Sequence, residues 1–283
     1  MKGVILSGGT GSRLYPLTTV VNKQLLPVFD KPMIYYPLST LISCGIKDIC
    51  IISSCDFLPS YQKLFGDGKH LGLNIVYKVQ FKPDGIAQSF LIAEDFIGND
   101  NVALILGDNV FHGFNRMKVD FTGAVVFAYK VNNPQEYGVV EFDSNGKALS
   151  IEEKPNMPKS KYAIPGLYFY DNKVIEYAKT LKPSKRGEYE ITDVNRKYME
   201  EGNLNVIKMP KGTVWLDAGS PTTLAQASSY IQTVQERQGC KIACIEEDCL
   251  NQQFIDTTQF NKLIEKTPKS EYRNYLESVQ SYI

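Results

Sequence analysis

The chain has 283 residues, 43% of them hydrophobic and 22% charged, the composition of a soluble globular protein and not of a fibrous or disordered one. Lys and Arg total 31, as do Asp and Glu, so the formal net charge is zero. No global field draws such a chain to nucleic acid or an anionic membrane, and any phosphate binding must be local.

The N-terminal apolar run Val4-Ile5-Leu6 is too short for a signal peptide or a membrane helix, and reads instead as a strand. It runs into a glycine loop, residues 8–13. After Pro32, Ile34, Leu38, Leu41 and Ile42 fall at helical spacing. Ile49-Cys50-Ile51-Ile52 is the next strand, Tyr61, Leu64 and Phe65 suggest a short helix, and Leu73-Asn74-Ile75-Val76-Tyr77 alternates like a strand. Ile86, Phe90, Leu91 and Ile92 predict a helix ahead of the fully apolar strand Val102-Ala103-Leu104-Ile105-Leu106. Apolar strands separated by helices predict an α/β, Rossmann-like fold: a mostly parallel mixed sheet covered on both faces, with right-handed crossovers.

Further strands are expected at residues 124–129, at Val139-Val140-Glu141-Phe142 before the turn Asp143-Ser144-Asn145-Gly146, and in the aromatic-rich stretch 163–170. Helices are expected near residues 174–181 and 191–201, and around Leu224, Ala227, Ile231 and Val234. The tail, residues 239–283, reads as helical but is too poor in apolar residues to fold alone. It should dock on the main body, residues 1–238, or on a neighbouring subunit. Six cysteines in a chain this long make no disulfide framework, and the clustered Cys240, Cys244 and Cys249 contain no Cys-x-x-Cys pair that would suggest zinc. The expected compartment is a reducing cytoplasm.

The chemistry-bearing residues lie at strand ends. Gly8, Gly9 and Gly11 allow a tight turn whose N–H groups can approach phosphate oxygens, and Arg13 adds a permanent cation. The loop is neither Gly-x-x-x-x-Gly-Lys-Ser/Thr nor a full Gly-x-Gly-x-x-Gly, which disfavours a P-loop and a nicotinamide dehydrogenase. By itself it is as readily an ordinary strand-to-helix turn. Lys23, beside Gln24, offers a second cation for a polyphosphate. Asp108 follows an apolar strand and Gly107, where ligands of open parallel sheets collect and where a carboxylate can hold Mg²⁺. Asp217 repeats the pattern, though either aspartate alone could be a turn or cap residue. Glu153 could accept hydrogen bonds from sugar hydroxyls and Lys154 could hold a phosphate, unless the pair is only a solvated charge cluster. Gln80 and Gly85 could read a nucleobase edge, or be turn residues.

Together these stretches resemble the glucose-1-phosphate thymidylyltransferase family over essentially the whole chain. The resemblance is carried by the loop through Thr18, by Lys23-Gln24-Leu25-Leu26-Pro27, by Asp30-Lys31-Pro32-Met33-Ile34-Tyr35-Tyr36-Pro37-Leu38 and by Pro83-Asp84-Gly85-Ile86-Ala87-Gln88. It continues in Gly107-Asp108-Asn109, Glu136-Tyr137-Gly138, Glu152-Glu153-Lys154-Pro155, residues 186–195 and Trp215-Leu216-Asp217. It implies transfer of a thymidylyl group from dTTP to glucose 1-phosphate, within nucleotide-sugar and rhamnose biosynthesis, by a cytoplasmic homo-oligomer, a tetramer in relatives. It implies that Gly8, Gly9, Gly11, Arg13 and Gln24 hold the nucleotide, that Gln80 and Gly85 read thymine, and that Lys23 and Arg186 contact phosphates. Asp108 and Asp217 would bind Mg²⁺, and Tyr137, Gly138, Glu153 and Lys154 would position the sugar phosphate. A UTP-preferring transferase and an inactive sugar-nucleotide-binding subunit are the alternatives.

Two departures stand out. The connection over residues 112–121 is shorter than the helical insertion usual in the family. Leu250-Asn251 replaces a Tyr-Arg pair of the regulatory C-terminal segment, so feedback inhibition by dTDP-rhamnose is expected to be weak or absent.

Overall fold

A computed structural model describes residues 1–113 and 121–281, so the shortened connection lies, apart from its ends, outside the described residues. Along the chain come β1 (Lys2–Leu6), a hairpin of β2 (Pro27–Val28) and β3 (Lys31–Pro32), α1 (Tyr35–Ser43), β4 (Asp48–Ser53), α2 (Leu58–Phe65) and β5 (Asn74–Val79). Next are α3 (Gln88–Ile92), α4 (Glu94–Ile97), β6 (Val102–Leu106), β7 (Asn109–His112), β8 (Ala124–Lys130), β9 (Gly138–Phe142), β10 (Ala148–Glu153), β11 (Tyr162–Ala163) and β12 (Leu167–Tyr170). The chain closes with α5 (Lys173–Thr180), α6 (Ile191–Glu200), β13 (Leu204–Lys208), β14 (Val214–Asp217), α7 (Pro221–Gln238), α8 (Ile245–Asn251), α9 (Thr257–Lys266) and α10 (Glu271–Gln280).

One large sheet runs in the order β10-β9-β11-β8-β12-β6-β1-β4-β5, with β13 also paired to β8. The expected Rossmann-like mixed sheet is therefore present. Its N-terminal half is parallel: β1 pairs with both β4 and β6, and β4 with β5. These strands read as unbroken apolar runs because helices cover both faces; Val4, Ile5, Ile51, Leu104 and Ile105 are all fully buried. Beyond β6 the sheet turns antiparallel through β12, β8, β11 and β9, and only β13 returns parallel. The strand β13 has no counterpart in the pattern read from sequence. Its alternation is muted, with only partly buried Leu204, Val206 and Ile207 between exposed positions.

The pleat sends alternate residues to two cores. Ile5, Ile51 and Ile105 face α1, where Leu38, Leu41 and Ile42 wait, and the same core holds Ile245, Phe260 and Leu276 of the C-terminal helices. Val4, Ile52 and Leu104 face the other way, toward Phe90, Val174, Val194 and Tyr198. The helical tail is thus packed on the face that α1 covers. Helix starts are set locally: Ser220 with Thr223 caps α7 just before the tail, and within the tail Asp256 with Gln259 caps α9 and Ser270 caps α10. Leu250 and Asn251 form the last turn of α8.

Asp248 on α8 accepts the Ser39 hydroxyl at 2.6 Å. Burial, reinforced by Glu247 and Glu246 and only partly offset by Ser39 and Lys31, pushes its carboxyl up to about 7. The folded chain therefore keeps a proton there that the unfolded chain, with a pKa of about 3.9, releases, and stability falls as pH rises from about 4 to about 7. Asp248→Asn should be more stable than the parent above about pH 8, by at least the ~1.4 kcal/mol that one pKa unit represents, with the difference vanishing below about pH 4. Urea unfolding at both pH values checks this.

Candidate active site

The site forms where β1, β6 and β14 end. Beyond β1 the chain enters the glycine loop, where Gly9 and Gly11 have φ of 94° and 61°, a region glycine occupies without strain. Fully buried Leu14 anchors the short helical turn Ser12–Leu14, leaving Arg13 free to reach across the cleft. A β-carbon placed on Gly219 would lie 2.7 Å from Arg13 Nη2 and 2.9 Å from Asp217 Oδ1, so the guanidinium crosses bare backbone just beyond β14.

Lys23 begins a second turn, Lys23–Leu25, and is only 9% exposed. Its ammonium is ion-paired with Asp108. Gln24 is buried beside it, with an Oε1 that has no hydrogen-bond partner.

The pairing of β14 with β7 brings the two aspartates to one corner. Asp217 lies opposite Asn109, the residue after Asp108, and the Ala218 N–H donates to the Asp108 carbonyl at 3.0 Å. Asn109 locks the corner: its Nδ2 donates to Asp108 Oδ1 at 2.8 Å, while its Oδ1 accepts from Gly166 N at 3.0 Å and Trp215 Nε1 at 2.6 Å. Burial alone would raise the Asp108 carboxyl, but the charge and hydrogen bond of Lys23 bring it below the ordinary carboxylate range. Asp217 goes the opposite way. Burial first, and the Asp108 charge second, push it up to about 6 against Lys23, Arg13 and Lys154.

Asp217 Oδ1 is buried with no hydrogen-bond partner. A buried carboxylate oxygen left bare beside a second carboxylate suits a divalent cation. Among the described residues no group of three or more His, Cys, Asp or Glu could hold a metal. Two carboxylates alone would suit a hard ion that takes its remaining ligands from water and substrate phosphates.

Two cavities meet here. One, of about 310 Å³, is lined by Gly8, Gly9, Gly11, Arg13, Lys23, Gln24, Gln80 and Gly85, so every nucleotide-binding residue expected from the sequence faces it. Gln80 Nε2 donates to Gln88 Oε1 at 2.8 Å, and Gln80 packs directly over Gly8, where any side chain would overlap it. Gly85, at φ 116°, lies against the Tyr189 backbone, 2.5 Å from where its β-carbon would be; this close approach requires glycine whether or not a base sits nearby.

The second cavity, of about 210 Å³, is lined by Tyr137, Gly138, Glu153, Lys154, Arg186 and Asp217 among others. Glu153 accepts from Thr192 Oγ1 at 2.5 Å. Lys154 follows β10 with φ 41°, a conformation costly for a residue with a side chain, and its N–H donates to the Tyr137 carbonyl at 3.0 Å. The structure puts Arg186 on the rim of this second cavity, between Glu153, Glu188 and Glu190 at 2.9–3.5 Å, and not in the first. Arg13 and Asp108 line both cavities.

Asn109, Thr192, Gln88 and the Trp215 N–H have no role that the sequence pattern alone signals. For Asn109 and Trp215 the one signal is adjacency, in Gly107-Asp108-Asn109 and Trp215-Leu216-Asp217, but hydrogen-bonding partners 57 and 106 positions away leave no trace in a local motif.

The model of the nucleotidyl transferase family matches residues 2–234. Glucose-1-phosphate thymidylyltransferase of Neisseria meningitidis is 51% identical over 282 residues, covering 98% of each chain, and that of Mycolicibacterium smegmatis 52% identical over 281 residues with the same coverage. A solved Bacillus anthracis structure, assigned as a glucose-1-phosphate thymidylyltransferase and crystallised with sucrose, superposes with a TM-score of 0.75 at 44% identity, covering 81% of this chain and 94% of that one. A UDP-glucose pyrophosphorylase at 22% identity and a TM-score of 0.73, covering 82% of this chain and 98% of its own, shares the fold. With the family model spanning most of the chain and full-length relatives at half identity, the chain belongs to the nucleotidyl transferase family and, within it, to the glucose-1-phosphate thymidylyltransferases.

Proposed function

We propose that this protein transfers the thymidylyl group of dTTP to α-D-glucose 1-phosphate, forming dTDP-glucose and releasing pyrophosphate. The observation that carries this reading is the shared wall of the two cavities. Arg13 and Asp108 face both, as two substrates reacting through one phosphorus require. The names of the close relatives agree with it.

In this reading the glycine loop and Gln24 hold the triphosphate, with Gln80, backed by Gln88, and Gly85 at the base. Tyr137, Gly138, Glu153 and Lys154 hold the sugar phosphate. One oxygen of that phosphate bonds to the α-phosphorus of dTTP, and the bond from α-phosphorus to the β-bridging oxygen breaks on the far side, releasing pyrophosphate. The nucleophile needs no base, because a phosphate monoester with a second pKa of about 6 is already largely dianionic at neutral pH. Arg13, Lys23 and Lys154 gather the substrates' negative charges, with Arg186 at the sugar rim, and hold the reacting oxygen in line. Mg²⁺ on Asp108 and Asp217 would neutralise phosphate charge and polarise the α-phosphoryl group. Thymine is preferred over uracil by one methyl group, worth ~0.8 kcal/mol on burial. A cytoplasmic homo-oligomer, a tetramer as in the family, completes the proposal, with the docked C-terminal helices available to a neighbouring subunit. Among the described residues no helix is long and apolar enough to cross a membrane.

Asp108→Asn and Lys23→Ala should each lower kcat for pyrophosphate release from dTTP and glucose 1-phosphate by about 10²–10³, the loss typical of removing one preorganised charge partner, with the far-ultraviolet spectrum retained. Near-parental turnover in both would sink the assignment. Glu153→Ala should raise the KM for glucose 1-phosphate by about tenfold, one lost hydrogen-bonding partner, and leave that for dTTP unchanged. Equal rates with dTTP and UTP at equal subsaturating concentration would refute the thymidylyl preference.

A further inference from the structure

We infer that Asn22 and Tyr61 form a buried positioning pair that aims Lys23 into the nucleotide cleft. The inference rests on the transfer reaction proposed above. Asn22 is 2% exposed and Tyr61 is fully buried, and neither lines either cavity, so any effect on the reaction must pass through another residue.

Asn22 stands in extended backbone at the head of the turn Lys23–Leu25. Its Oδ1 accepts from the Gln24 N–H at 3.1 Å, capping the turn, and from the Tyr61 hydroxyl at 2.6 Å. The other end of the amide, Nδ2, makes a long contact of 3.5 Å with the Ser7 carbonyl, which also accepts from Ser53 Oγ at 3.2 Å. Ser7 is the residue before Gly8. One side chain therefore joins the root of the glycine loop, the turn bearing Lys23 and Gln24, and α2.

The physical need is clear from the parts. A single 3₁₀ turn is a weak element that persists only when other contacts hold it. Lysine carries its charge on a flexible four-carbon stem, so the ammonium can be aimed only if its backbone is fixed. The Tyr61 hydroxyl, delivered from a helix in the hydrophobic core, donates to Oδ1 and thereby selects the amide orientation that presents oxygen to the turn and nitrogen to Ser7. The rigidity of the core is passed to a cation at the surface of the cleft. Loss of this aim should cost turnover and not affinity for the sugar phosphate, whose cavity Lys23 does not line.

The test compares the parent with Asn22→Ala, Tyr61→Phe, Asn22→Ser, Lys23→Ala and the double variant Asn22→Ala/Lys23→Ala. Asn22→Ala should lower kcat by about 10²-fold, the scale of a misplaced group, with little change in KM for glucose 1-phosphate. Tyr61→Phe, which removes only the hydroxyl and spares the core, should show a smaller loss of the same kind. Asn22→Ser keeps a capping oxygen and should recover most of the turnover. In the Lys23→Ala background Asn22→Ala should add almost nothing, because both act through one ammonium. A merely structural role would instead give additive losses. Amine acetylation followed by mass spectrometry reads the position of Lys23 without turnover: Lys23 should react faster in Asn22→Ala, while Lys31, buried elsewhere, stays slow. Parental kcat in Asn22→Ala, additive losses in the double variant, or unchanged acetylation of Lys23 would each overturn the inference. A parent protein inactive on dTTP and glucose 1-phosphate would instead defeat the proposed function, and the acetylation rates would still decide the positioning.

Discussion

The site depends on one crossing: β14 laid antiparallel on β7. That pairing sets Asp217 opposite Asn109 and beside Asp108, two carboxylates from strands more than a hundred residues apart. Bringing like charges together in a buried place is unfavourable by itself, and the surroundings show how it is tolerated. Lys23 takes Asp108 as its partner, Arg13 crosses Gly219 toward Asp217, and Asn109 fixes the corner with three hydrogen bonds. Asp217 is left with the less compensated charge. The two aspartates, alike in sequence context, are thereby made unequal.

The rest of the molecule serves to hold that corner rigid. The parallel half of the sheet fixes where β1 and β6 end, so the glycine loop and Gly107-Asp108 emerge side by side. The antiparallel half carries in, on β9 and β10, the residues proposed to hold the sugar phosphate, paired so that Glu153 stands opposite Gly138. Lys154, in its strained backbone, follows directly. The two halves meet at the β6–β12 pairing, and Leu106 at the end of β6 lines both cavities. One continuous sheet therefore carries residues that line both cavities.

The C-terminal segment is bound into this body by charge as well as by packing. Lys31, 4% exposed, pairs with Asp30 and donates to Gln235 Oε1 and the Ile242 carbonyl, while Lys241 pairs with the same Asp30. Removing one member of such a cluster strands another in a poor solvent for ions. The Asp30-Lys31-Pro32 stretch thus has a structural reason of its own, namely to join the hairpin after the Lys23 turn to the helices at the end of the chain.

By itself the sequence determined the parallel half-sheet, whose unbroken apolar runs have no other stable use, and the helices around it. It also supplied the candidates for the site, since glycines at a strand end and acids after apolar strands can serve phosphates and cations, although each alone reads equally as a turn or a cap. Only the tertiary structure decided which of these residues meet. The proximity of Asp108 and Asp217 comes from a strand pairing between Asn109–His112 and Val214–Asp217, and no local pattern encodes a partner a hundred residues away. The same holds for β13, whose weak alternation is explained only by the neighbour it pairs with, and for Asn22, which reads as an unremarkable polar residue until Tyr61 and Ser7 close around it. Local propensity and hydrophobic period are properties of the chain. Juxtaposition, burial of charge and the choice of hydrogen-bond partner arise only once the sheet has closed around them.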